Sequence, residues 1–160
     1  MPSASERHLI DANVFVYAAV KSPLDAPDVA DLQTGSRRVV EALATGNLVG
    51  VNCLTVLQEV IYLMARWSRQ REQFRTTDPQ TALHEAGCRI VRSARVLVDE
   101  VLAPSVLEFS RALESHTRQH DFNDLLIVET MRAHSITSIT SADRRIETLG
   151  MTRREPREWK

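Results

Sequence analysis

Asp121-Phe122-Asn123-Asp124-Leu125-Leu126-Ile127-Val128-Glu129-Thr130-Met131-Arg132-Ala133-His134, running on into Ser135-Ile136-Thr137-Ser138-Ile139-Thr140-Ser141-Ala142-Asp143, is the stretch on which the fold turns. Asp121 stands where a helix N-cap belongs, and Asp124 falls in the first turn, where an acid meets the positive end of the helix dipole. Leu125 to Val128 together with Met131 leave little polar circumference, so the predicted helix is largely buried and ends near His134. Ile136 to Thr140 is β-branched at most positions and reads as a strand closed by Ser141-Ala142-Asp143. A buried helix feeding a buried strand is the repeating step of an α/β fold.

Outward from that segment the alternation continues. His8-Leu9-Ile10 is a short buried strand ending at Asp11, and a second apolar run follows from Val14 to Ala19. Residues 21–35 hold Pro23, Pro27, Asp25, Asp28 and Asp31, which is loop chemistry, and Arg37 to Ala44 reads as a helix closed by Gly46-Asn47. Leu48 to Val51 is a strand candidate. Thr55 with Gln58 fits a capping box, and Leu57, Val60, Ile61 and Met64 recur at helical spacing to about Trp67. A basic segment, Arg66 to Arg75, closes in the turn Thr76-Thr77-Asp78-Pro79. Helices are predicted from Pro79 to about Arg95 and again after Pro104, where Val106, Leu107, Phe109 and Leu113 supply an apolar face. With no repeats or low-complexity stretches, the pattern predicts one α/β domain over residues 1–160, a mostly parallel central sheet flanked by helices.

At 160 residues, with 43% apolar and 26% charged side chains, the composition is that of an ordinary globular protein and excludes a disordered chain. The longest apolar run, Val14 to Val20, is far short of the roughly 20 residues that cross a bilayer. The first eight residues lack a basic region leading into an apolar block, so no secretory signal is expected and the cytoplasm is the expected compartment. Cys53 and Cys88 match neither a metal knuckle nor a disulfide framework and read as small buried thiols. The 20 basic and 21 acidic residues give a net charge of −1, which speaks against a broadly basic nucleic-acid-binding surface. The balance is uneven, however: residues 36–98 carry nine basic against five acidic side chains, and both flanking segments are net acidic.

Four acids stand among apolar neighbours. Asp11 and Asp143 each follow a predicted buried strand, and ligands of open α/β sheets bind at the carboxyl ends of strands. One such Asp alone equally begins a turn or caps a helix. Glu59 lies on a polar stripe of Asn52, Thr55, Glu59, Tyr62 and Arg66, which reads either as a cleft wall or as a solvent-facing strip. Asp124 and Asp121 both have structural readings at the helix start, in the first turn and at the N-cap. Should these carboxylates converge, they repel one another and must either protonate or hold a cation. Oxygen-only ligands point to Mg²⁺ or Mn²⁺ rather than zinc, and such a site suits metal-assisted phosphodiester hydrolysis.

The order of the acids resembles that of the PIN-domain ribonucleases, in particular the toxin subunits of VapBC-type toxin–antitoxin pairs. Four segments carry the likeness: Leu9-Ile10-Asp11-Ala12-Asn13-Val14-Phe15-Val16-Tyr17-Ala18, Leu54-Thr55-Val56-Leu57-Gln58-Glu59-Val60, Phe122-Asn123-Asp124-Leu125-Leu126-Ile127-Val128, and Ile139-Thr140-Ser141-Ala142-Asp143-Arg144-Arg145. Each motif is short; their order and spacing together frame residues 9–149. The resemblance implies a PIN-like three-layer α/β/α fold, a Mg²⁺- or Mn²⁺-dependent site of Asp11, Glu59, Asp124 and Asp143, and cleavage of single-stranded RNA leaving a 5′-phosphate and a 3′-hydroxyl. Asn13 and Ser141 would orient a carboxylate or a metal-bound water. A cognate antitoxin protein and a homodimer are the partners it implies, with the apolar runs after Asp11 and Glu59 serving as interface or as core.

The chain is longer than a compact toxin of this type, with extra length near residues 21–34 and 69–79. The first insertion is acidic and a poor grip for RNA; the second sets Trp67 and Phe74 among arginines, a stacking and charge surface or a solvated helix extension. Arg69, Arg71 and Arg144 are the expected substrate contacts, and the tail from Arg153 to Lys160 reads as the second insertion does. His116 and His120 precede Asp124 and invite a general acid or base role, against the commoner reading of exposed histidines near a helix end. Two rivals fail on the residues. A haloacid dehalogenase-like enzyme wants Asp-x-Asp where this chain has Asp11-Ala12-Asn13, and a receiver domain wants a lysine after a late strand, whereas the lysines are Lys21 and Lys160. The remaining alternatives within the resemblance are an RNA-processing nuclease without an antitoxin and a non-catalytic interaction module. The latter typically loses one or more of the acids, and all four are present.

Overall fold

Leu9, Ile10, Val51 and Ile139 are completely or almost completely buried, which strand residues achieve when helices cover both faces of their sheet. In a computed structural model that describes residues 7–20, 27–69 and 79–159, with side chains described over 7–20, 29–66 and 84–159, they lie in a five-stranded parallel sheet. The elements in chain order are β1 (Arg7–Ile10), α1 (Ala12–Ala19), α2 (Pro27–Ala44), β2 (Val49–Cys53), α3 (Leu54–Arg69), α4 (Pro79–Leu97), β3 (Glu100–Leu102), α5 (Val106–Ser115), α6 (Phe122–Ala133), β4 (Ser138–Thr140) and β5 (Thr152–Arg154), with 3-10 helices over Arg144–Leu149 and Pro156–Glu158. The strand order is β3-β2-β1-β4-β5. β1 pairs with β2 through Leu9 opposite Val51, and with β4 through Leu9 opposite Ile139 and Ile10 opposite Thr140. Helices α1 to α4 pack on one another, α5 packs on α6, and α3 also meets α6. This is the three-layer α/β/α architecture expected from the sequence.

Several expectations need correction. The loop predicted over 21–35 is helical from Pro27 onward; proline at the first helical position lacks only an N–H that has no intrahelical partner there. Residues 21–26 lie outside the described residues. Thr55 is not a cap, because α3 already begins at Leu54. Asn52 Oδ1 accepts from Cys53 N at 2.8 Å, and the Cys53 sulfur receives the backbone N–H groups of Val56 and Thr55. The apolar runs after Asp11 and Glu59 are core, with Val14, Val16, Val60 and Met64 at most 1% exposed. The apolar residues of α5 are not buried: Val106 is 83% and Leu113 59% exposed. That helix turns its Glu108 and Ala112 side inward, Ala112 against Leu125 and Leu126 and Glu108 accepting from Ser105 N at 2.5 Å. Cys53 is buried as expected, but Cys88 is half-buried.

The tail from Arg153 onward is part of the fold rather than a solvated extension. β5 pairs with β4, Ile139 opposite Arg153, and the following 3-10 turn sits against α2. A Cβ on Gly35 would fall 2.2 Å from the carbonyl oxygen of Pro156, so only glycine admits this approach. Trp159 is buried, its ring edge-on to His8 with centroids 6.0 Å apart and the Arg154 guanidinium 3.7 Å from the ring centroid. Arg38 Nη1 donates to the Trp159 carbonyl at 3.1 Å. No helix among the described residues is long and apolar enough to cross a membrane.

Candidate functional site

In the order β3-β2-β1-β4-β5 the winding direction reverses between β1 and β4, and the crevice beyond the carboxyl ends of the strands at such a reversal is where open parallel sheets bind ligands. Asp11 follows β1 and caps α1, its Oδ1 accepting from Ala12 N at 2.7 Å. Its own N–H donates to Thr140 O at 3.0 Å, carrying the β1–β4 ladder one residue past the strands. Oδ2 accepts from Asn13 Nδ2 and, at 2.5 Å, from the Ser141 hydroxyl. The Ser141 oxygen in turn accepts from Asn13 Nδ2 at 3.2 Å and Asp143 N at 2.9 Å, and Asn13 Oδ1 accepts from Ala142 N at 3.0 Å. Asn13 and Ser141 thus lock the loop after β4 onto the acid that ends β1.

Glu59 enters from α3 and Asp124 from the first turn of α6. The four acids feel one another across this crevice. Burial, and then the Asp11 charge, push the Glu59 carboxyl up to about 8, with Asp124 and Asp121 adding to the rise; a hydrogen bond from the Asn123 side chain opposes it. Asp124 is pushed up to about 6, first by burial, then against the opposing charge of Arg145, and with Asp143 and Asp11 contributing repulsion. Burial raises Asp11 as well, and Asp143 adds to it against the hydrogen bonds from Ser141, Ala12 and Asn13. Asp143 goes the other way: bonded by Arg145, it is held below the ordinary carboxylate range. Its Oδ2 accepts from Arg145 Nε at 3.0 Å and Nη2 at 2.6 Å, and Oδ1 from Arg145 N at 2.9 Å. The buried Cys53 thiol, close enough to feel Glu59 and Asp11, is pushed up to about 11 by its burial and is an inert neighbour.

In three of the four acids burial and repulsion therefore oppose the charged form, and no His or Cys thiolate competes for a cation among them. That donor set suits a hard divalent ion. Among the described residues no three His, Cys, Asp or Glu side chains are gathered as a ready-made cage, Asp143 being turned toward Arg145.

The remaining expected residues divide. Asp121 accepts from Asn123 N at 2.9 Å as the N-cap of α6. Arg144 is exposed at the start of its 3-10 helix. The Arg69 side chain and all of Arg71 lie outside the described residues, as does the rest of 70–78. The polar stripe does not form: Asn52 belongs to β2 and is fully buried, Thr55 is buried, and Tyr62 is 61% exposed. Three residues were not singled out from the sequence: Asn123, which holds Glu59; Arg145, which holds Asp143; and Arg153, 8% exposed, whose Nη1 donates to Ser141 O at 3.0 Å. Only the position of Asn123 beside Asp124 at a helix start hinted at any of them.

Among solved structures the fold is similar to that of Mycobacterium tuberculosis VapC20, a sarcin-ricin-loop-cleaving toxin, with a TM-score of 0.61 and 18% identity over 90% of this chain and 95% of that one. It is also similar to FitAB bound to an IR36 DNA fragment, with a TM-score of 0.56 and 16% identity over 95% of this chain and 96% of that one. No curated protein matches it in sequence. The family model of the PIN domain matches residues 8–150, from the first strand to the turn before the last. The chain belongs to the PIN domain family.

Proposed function

We propose that this PIN domain is a Mg²⁺- or Mn²⁺-dependent endoribonuclease that hydrolyses single-stranded RNA, acting as the toxin of a toxin–antitoxin pair. The observation that carries the reading is the placement of Asp11, Glu59, Asp124 and Asp143 at the sheet's reversal point, with Glu59 and Asp124 raised to about 8 and about 6 by burial and mutual repulsion. A cation bound among the acids offsets the burial and repulsion that raise them. The four acids would hold the ion, which when bound activates water and neutralises charge on the attacked phosphate. The chain's own part is positional. Asn13 and Ser141 fix one oxygen of Asp11, Asn123 steadies Glu59, and Arg153 holds the carbonyl of Ser141. With the four site acids set aside, 20 basic residues face 17 acidic ones, so RNA is gripped locally rather than by a broadly basic surface.

Incubation of single-stranded RNA with the protein in Mg²⁺ and in EDTA tests the reaction: fragments with 5′-phosphate ends form only with the metal, and identical patterns in both would refute it. For the toxin role, expression arrests growth and a small adjacent reading frame encoding the antitoxin relieves the arrest. A harmless chain would instead favour RNA processing. The homodimer implied by the resemblance needs an apolar surface outside the core, and the exposed row of Val106, Phe109 and Leu113 on α5 supports one; sedimentation of the purified protein tests it.

A further inference from the structure

Beside the carboxylates lies an open cavity of about 530 Å³ bounded by His116 to Asp121 and by Arg145. The turn that forms it is pinned at both ends. His116 is the C-cap of α5 and meets Phe122 edge-on at 6.2 Å, Thr117 bridges to His120, and Asp121 caps α6. Its wall is polar and carries two permanent cations. Arg118 engages no carboxylate among the described residues, and Arg145 reaches from the cavity to Asp143. The Asp121 carboxylate is committed to the helix cap. His120 Nδ1 is buried with no hydrogen-bond partner among the described residues.

A cationic, hydrogen-bonding cavity abutting an anionic cluster has the charge layout that a polyanion strand requires. The acid site repels every phosphate except one neutralised there, so the neighbouring phosphates need cations of their own. Arginine is suited to that task because its fork matches phosphate oxygens in pairs. We propose that this cavity is a phosphate subsite for the RNA strand, in which Arg118 and Arg145 hold the backbone phosphate next to the one that is cut. This rests on the ribonuclease reading and adds the residues that place the strand.

The experiment is binding of a fluorescent single-stranded oligoribonucleotide in EDTA, followed by anisotropy across a salt series, for the wild type and for R118Q, R145Q and R92Q, the last on the exposed side of α4. R118Q and R145Q are expected to weaken binding about 3- to 10-fold and to lower the slope of log affinity against log salt by about 0.7 each, the value for one lost phosphate contact on a single strand. R92Q, with the same loss of charge elsewhere, keeps the wild-type slope. Equal slopes in all four proteins, or equal losses in all three variants, overturn the subsite. Wild-type protein that shows this pattern yet never cleaves RNA in Mg²⁺ overturns the nuclease reading and leaves the subsite standing.

Discussion

The Ser141 hydroxyl donates to Asp11 Oδ2 at 2.5 Å, tying the loop after β4 to the carboxylate that ends β1. Because the same oxygen accepts from Asp143 N at 2.9 Å, one buried hydroxyl sets the spacing of two acids. Ser141→Ala is expected to cost about 1.5–3 kcal/mol in urea unfolding, the range for a hydrogen bond to a charged group. RNA cleavage should fall further than stability implies, about 10- to 100-fold, because small displacements of reacting groups are costly. A variant that cleaves at the wild-type rate would remove Ser141 from the positioning of the site.

The raised carboxyls give a pH signature in EDTA. Glu59 moves from an ordinary 4.5 to about 8, and Asp124 from 3.8 to about 6. A carboxyl raised by folding adds its stability below the unfolded value and loses it as pH climbs through the folded one. The metal-free protein is therefore expected to lose stability steadily from the ordinary carboxylate range up to pH about 8. Glu59→Gln should flatten the upper part of that decline. Asp143, held low by Arg145, works in the opposite sense and weakens the fold only as pH falls below its ordinary 3.8. Urea midpoints across pH measure both limbs.

Added Mg²⁺ should reverse the loss at neutral pH. An ion that binds only the folded site stabilises by about 2.7 kcal/mol at 100 times its Kd. Thermal melts of the wild type should rise with millimolar Mg²⁺ and those of Asp11→Asn much less.

Trp159 anchors the final turn against His8 and under Arg154. Trp159→Ala is expected to cost about 3–5 kcal/mol, as truncation of a buried aromatic does, and chemical denaturation measures it directly. A loss within about 0.5 kcal/mol, the scale of surface substitutions, would mean that the tail is a surface appendage.

How far the fold was readable follows from burial. β1 and β4 were legible because Leu9, Ile10 and Ile139 are covered on both faces of the sheet, the first showing as apolar residues and the second as the β-branched run Ile136 to Thr140. β3 and β5 were not, being three-residue edge strands that carry Glu100, Arg153 and Arg154; charged residues at sheet edges blunt the very pattern that reveals strands. Pro27 read as a breaker because the sequence does not say that it stands first in a helix. The acids Asp11, Glu59, Asp124 and Asp143 stood out as charges among apolar neighbours. Their partners did not, since the Asn123 to Glu59 bond crosses from α6 to α3 and the Arg145 to Asp143 bond depends on a side chain folding back within one turn.

RNA cleavage is proposed to take place at the acid cluster of the β1–β4 reversal. Single-turnover cleavage of a single-stranded RNA by Asp11→Asn, at saturating Mg²⁺ and with folding checked by circular dichroism, tests it most directly. The rate is expected to fall at least about 100-fold, the scale on which removing one catalytic electrostatic group acts, in a protein that still folds. Cleavage by the folded variant at the wild-type rate would contradict it.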